Sequence, residues 1–109
     1  MHPESIVFPD LLKAVPEIAE NSIISRSLFK DERLDVTLFG FAAGQELSEH
    51  TAPYRAIIHV LEGEAHITLG EKAVEAHAGA WIYMPPHLPH SLKATSRFVM
   101  LLTLAKEEV

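Results

Sequence analysis

The sequence predicts an all-β domain, a sandwich or barrel of short strands. Eight β-type runs follow one another from residue 23 onward. Turn residues separate them at intervals of about eight to twelve positions, the spacing of sandwiches and barrels. No helical pattern alternates with the runs, so parallel βα units are excluded.

Residues 1–22 read as an N-terminal arm. Within it, Asp10 to Glu20 fits one or two helical turns, with Asp10 capping the start and Pro16 ending any longer helix. The expected strands are then Ile23–Phe29, Leu34–Phe41, Ala56–Leu61, Ala65–Leu69, Lys72–Ala76, Ala80–Met84, His90–Ala94 and Arg97–Leu104. Between them lie Lys30-Asp31-Glu32, Ala43-Gly44, Glu62-Gly63-Glu64, Gly70-Glu71, Ala78-Gly79, and Pro85-Pro86 with Pro89. Three runs are apolar at nearly successive positions: Val36 to Phe41, Ile57 to Leu61 and Phe98 to Leu102. A strand wetted on one face alternates instead, so these strands are expected to be covered on both. A barrel interior covers one face, and a second sheet, a helix or a subunit covers the other. A homodimer is the natural expectation.

The chain has 109 residues, of which 48% are hydrophobic, and reads as a single domain over 1–109. A chain of this size buries roughly two-thirds of its unfolded surface without covalent staples. It contains no cysteine, which excludes disulfides, thiolate metal sites and cysteine nucleophiles. The net charge is −6, and the nine Lys and Arg are scattered from Lys13 to Lys106. Without a basic patch, a nucleic-acid partner is not expected. No apolar run approaches the ~20 residues of a membrane helix, so no membrane partner is expected. The start, Met-His-Pro-Glu-Ser, lacks the pattern of a secretory signal, and a cytoplasmic location is expected.

Seven histidines are present, and His50, His59, His66, His87 and His90 fall in the central stretch. Two segments around them carry a recognisable spacing. The first runs from Gly44 through His50, Ala52 and Ala56 to Gly63. The second is Gly79-Ala-Trp-Ile-Tyr-Met-Pro85-Pro-His87-Leu-Pro-His90. Together they resemble the two signature motifs of the cupin superfamily, of the small single-domain conserved-barrel type. Gly44, His50 and Gly63 fall on positions of the first motif, and Gly79, Pro85 and His90 on positions of the second. The resemblance covers residues 34–104. It implies a double-stranded β-helix, the jelly-roll barrel of two antiparallel sheets, after a short helical N-terminal segment.

The resemblance also implies where a metal site would be. The family's usual set is three histidines and a glutamate. This sequence keeps the first histidine, His50, and the last, His90, while Ala52 and Ala56 stand where the second histidine and the glutamate would be. His87 replaces a glycine of the second motif and is the candidate third ligand. Two protein donors rarely hold a divalent ion, since functional sites usually supply at least three. Strand parity turns His59 away from the face shared by Ala56, Ile58 and Val60. The direction of His66 is open, and His2 and His77 are given no role. Glu46 and Glu49 read as solvated rim charges. Tyr54 is expected to reach into the mouth of the pocket, lined further by Phe39, Phe41, Ala52, Ala56, Ile58 and Met100. Trp81, Tyr83 and Phe98 are most simply core or lining.

Three functions follow as expectations. The first is a pocket centred on His50 and His90 that binds a small-molecule ligand, through hydrogen bonds or acid–base contacts from the two imidazoles. The second is a dioxygenase-, isomerase- or decarboxylase-type enzyme, with Fe, Mn, Ni or Zn on the same pair. The third is a non-catalytic interaction module whose pocket is vestigial.

Overall fold

In the computed structural model, which describes residues 4–106, the apolar runs pair into two antiparallel sheets. The strands are β1 (Ile23–Lys30), β2 (Leu34–Phe41), β3 (Glu46–His50), β4 (Arg55–Glu62), β5 (Glu64–Leu69), β6 (Lys72–His77), β7 (Trp81–Met84), β8 (His90–Ala94) and β9 (Phe98–Ala105). The larger sheet has the order β1-β2-β9-β4-β7, and the smaller has β3-β8-β5-β6. This is the expected all-β double-stranded β-helix. The sequence pattern misses β3. Four of its five side chains are exposed and only Leu47 is half-buried, so it carries no apolar signature. It lies at the edge of its sheet, where one neighbour and little burial suffice.

The inner faces enclose the main core. Phe41, Val60, Ala65, Ala94 and Phe98 are fully buried there. Phe41 meets Phe98 edge-on with ring centroids 5.7 Å apart, a favoured aromatic geometry. The parity argument holds along β4: Ala56, Ile58 and Val60 are buried while Arg55 and His59 are exposed.

The outer face of the larger sheet explains the doubly apolar runs in part. The chain's own N-terminal arm covers half of it. Leu38 and Val99 are fully buried beneath Ala14, with Phe8, Val15 and Ile18 packed against the same cluster. A Cβ at Gly40 would lie 2.5 Å from Ile18 Cδ1, so the missing side chain there lets the arm close on β2. Arg26 pins the arm by donating from Nη1 to the Ala14 carbonyl at 2.9 Å. Among the described residues the helical content is a single 3-10 turn, Leu12–Ala14, within the one or two turns expected. Asp10 supports its start by accepting from the Leu12 N–H at 3.1 Å. The other half of this face, on β4 and β7, carries exposed His59, Trp81 and Tyr83. No helix among the described residues is long and apolar enough to cross a membrane.

The turn from β1 to β2 depends on one carboxylate. Asp31 Oδ1 accepts from the backbone N–H of Arg33 at 2.8 Å and of Leu34 at 2.7 Å. These bonds hold its carboxyl below the ordinary value of 3.8, Arg33 first and Leu34 second. A lowered folded-state pKa means stability that is present above 3.8 and lost as pH falls through the folded value. Asp31→Asn should therefore be less stable than the parent above that pH. The gap should close on further acidification, as read by denaturant unfolding at a series of pH values.

Candidate functional site

The site begins with an irregularity in β3. Its register with β8 runs Glu46↔Lys93, Leu47↔Leu92 and then His50↔His90, so three steps on β3 match two on β8. The extra residue is a β-bulge, which breaks strict alternation. Without it, Leu47 and His50 would face opposite sides of the sheet, as an odd spacing requires. With it, both line the same cavity, opposite Leu92 and His90.

The two imidazoles lie against each other, with ring centroids 4.2 Å apart and planes inclined by 60°. Each is tied to backbone in the same way. Nδ1 of His50 lies 2.8 Å from the Ser48 carbonyl oxygen, and Nδ1 of His90 lies 2.8 Å from that of Leu88. A carbonyl oxygen only accepts, so each Nδ1 carries the proton. In the neutral rings, the lone pair of each histidine is then on Nε2. His50 is exposed and His90 half-buried, which places the pair at the mouth.

Behind the pair is a cavity of about 110 Å³. From the larger sheet come Phe39, Ile58, Met84, Met100 and Leu102, and from the smaller Leu47, Ile67, Ser91 and Leu92. Ile58, Ile67, Met84 and Met100 are all buried. Among the described lining residues Ser91 is the one polar residue besides the histidines; it sits between His90 and Leu92 on β8, so its hydroxyl turns to the opposite face, where it is hydrogen-bonded to Thr68.

Of the residues expected around the pocket, the structure brings Phe39, Ile58 and Met100 to its wall together with His50 and His90. It places four others elsewhere. Phe41 and Ala56 are buried in the core and do not line the cavity. Ala52 is half-buried in the segment before β4, where its carbonyl accepts from the His87 N–H at 2.7 Å. Tyr54 is 37% exposed and does not line the cavity. His87 is exposed at a positive φ of 67°, a turn conformation. Among the described residues, no three His, Cys, Asp or Glu side chains are grouped to hold a metal ion. The residues present therefore do not fit the four-donor divalent site that the resemblance implies.

The remaining histidines lie apart. His59 is on the outer face of the larger sheet. His66 pairs with Glu75 across β5 and β6. His77 is exposed, and His2 falls outside the described residues. Sequence reasoning missed Leu47, Ile67, Met84, Ser91, Leu92 and Leu102 as lining. Parity counted from His90 and Met100 finds Leu92 and Leu102, but no sequence signal reveals the bulge that turns Leu47 inward.

Comparison with known proteins agrees with this architecture. The family model described as "Cupin domain" matches residues 37–104. A conserved protein of unknown function from Streptococcus pyogenes is 34% identical, with 98% of this chain and 93% of that one covered and a TM-score of 0.85. A cupin superfamily protein from Desulfitobacterium hafniense is 28% identical over 96% of this chain and 94% of its own, with a TM-score of 0.84. A cupin 2 conserved barrel domain protein from Leptotrichia buccalis is 32% identical over 87% of this chain and 46% of its own, with a TM-score of 0.81. No curated protein matches the chain.

Proposed function

Because the chain belongs to the cupin family, we propose that it binds a small, largely apolar molecule, with His50 and His90 holding the polar end. One observation carries this reading. Two imidazoles with their Nδ1 protons committed to backbone stand at the mouth of a cavity whose floor is apolar. Such a site combines apolar burial for affinity with a few placed polar groups for orientation.

The test is a thermal-shift screen of small molecules with a chelator present. A ligand at one hundred times its Kd should stabilise the fold by about 2.7 kcal/mol. His50→Ala or His90→Ala should abolish that gain. If the screen returns no molecule whose effect depends on these two residues, the reading fails.

A divalent ion on the same pair, Fe, Mn, Ni or Zn, is the second reading, and with it an enzymatic role. It is favoured by the Nδ1 bonds, since metal-bound imidazoles commonly donate their other N–H to a carbonyl. It is opposed by the missing third and fourth donors. Elemental analysis of protein purified without a histidine tag separates the two. A metal content near one per chain favours the second reading, and a content near zero the first.

The homodimer is part of the proposal, and the exposed half of the larger sheet supports it. Trp81 is 62% exposed and Tyr83 42%, next to His59 and half-buried Ile57 across the strand pair. An exposed apolar patch of this kind marks an interaction surface. Light scattering at micromolar concentration should give twice the chain mass, and the double substitution Trp81→Glu with Tyr83→Glu should return a monomer. A monomeric parent protein would remove this part of the proposal.

A further inference from the structure

The tautomers at the mouth of the cavity restrict the chemistry of the ligand. Both Nδ1 protons are engaged by backbone carbonyls, so the neutral pair offers two Nε2 acceptors and no donor. The cavity wall adds no other side-chain donor, because its remaining side chains are apolar and the Ser91 hydroxyl, between His90 and Leu92 on β8, turns to the opposite face to meet Thr68. A ligand head must therefore bring two donors to satisfy both acceptors. An alcohol has one O–H. A carboxylate has none, and it would set its own lone pairs against those of the imidazoles. A primary ammonium has three N–H groups on one atom. Two can reach the histidines, and the third can stay hydrated at the mouth, where His50 is exposed.

Charge points the same way. The chain carries −6, and no Lys or Arg lines the cavity. The charged neighbours on the two strands are Glu46 and Glu49 on β3 and Lys93 on β8, all exposed. A head left at the mouth also avoids the large cost of fully burying an unpaired cation.

Size sets the tail. Ile58, Ile67, Met84 and Met100, each no more than 3% exposed, form the floor. The volume of about 110 Å³ is smaller than the ~150 Å³ apolar cavity that accepts benzene. That leaves room for about four carbons.

We infer that the site selects a short-chain primary amine in its ammonium form, with the head at His50 and His90 and the alkyl tail between the sheets. This rests on the small-molecule reading above and narrows it to one chemical class.

The probes are n-butylammonium, butyrate, 1-butanol and n-octylammonium. They are added to the full chain at about pH 8, where ordinary histidines are neutral, with EDTA present to exclude metal-mediated binding. Binding is followed by calorimetry and by histidine ring NMR shifts. n-Butylammonium should bind at least about tenfold tighter than butyrate or 1-butanol, a difference of about 1.4 kcal/mol, and should shift the ring resonances of both histidines. n-Octylammonium should bind more weakly than n-butylammonium, because its tail exceeds the cavity. His50→Ala should remove the preference for the ammonium. This side chain is exposed on an edge strand, so the variant should fold.

Butyrate or 1-butanol binding as tightly as n-butylammonium would overturn the inference. So would ammonium binding that His50→Ala leaves unchanged. If other molecules from the screen bind through the two histidines while n-butylammonium does not, the amine class fails and the small-molecule reading stands. If nothing binds through them, both fail.

Discussion

Gly63→Ala is expected to destabilise the fold by at least about 3 kcal/mol, which lowers Tm by roughly 15 °C for a domain of this size. Gly63 joins β4 of the larger sheet to β5 of the smaller one, at φ +83°. An L side chain rarely adopts that conformation. The space is also occupied: a Cβ would lie 1.8 Å from the Arg97 carbonyl oxygen and 3.0 Å from Phe98 Cα. Both are backbone atoms at the start of β9, so relief requires moving a central strand. Gly44→Ala and Gly79→Ala provide the control. Their φ values are +86° and +96°, yet no atom lies within 4 Å of a Cβ at either. They should cost only the backbone strain, about 1–2 kcal/mol. If thermal unfolding gave equal losses at the three glycines, the close approach at Gly63 would not be the cause.

Phe41→Ala should cost about 3–5 kcal/mol, as large aromatic truncations in packed cores do. The ring is fully buried, edge-on to Phe98 at 5.7 Å and tilted against Phe39 at 6.4 Å. Removing it leaves a void that strands on both sides resist closing. Phe39, two residues earlier on the same strand, is only half-buried and lines the ligand cavity. Phe39→Ala should therefore cost less stability and change ligand size selectivity more. Chemical denaturation and the thermal-shift screen measure the two effects. Equal stability losses would mean that the two rings share one environment, contrary to their burial.

The reading of Phe41 shows where sequence inference reaches its limit. Alternation places Phe39 and Phe41 on one face of β2, and that is correct. Which of them meets the cavity depends on what lies across the barrel. Phe41 meets Phe98, while Phe39 shares the cavity with His50 and His90. The same limit applies to Ala52 and Ala56. Their motif positions were legible, but the volume left by missing side chains need not become cavity. At Ala56 the core closes over it.

The outer face teaches a related lesson. Successive apolar residues correctly announced cover on both sides of β2 and β9, whereas the outer face of β4 carries exposed His59 and is left open in this chain. Periodicity reports that a face is covered and does not name the cover. The covering element over Leu38 and Val99 is this chain's own arm, packed through Val15 and Ile18.

The fold class was legible from the sequence alone: eight of the nine strands, the turns and the glycine and proline framework are local signals, each written in a few consecutive residues. The sequence also singled out His50 and His90. Strand pairing and packing, in contrast, set these two rings side by side with Nδ1 bound to backbone, before a small apolar cavity. That outcome depends on one extra residue between Leu47 and His50 relative to β8. A bulge is a property of two paired strands, so neither strand's sequence contains it alone.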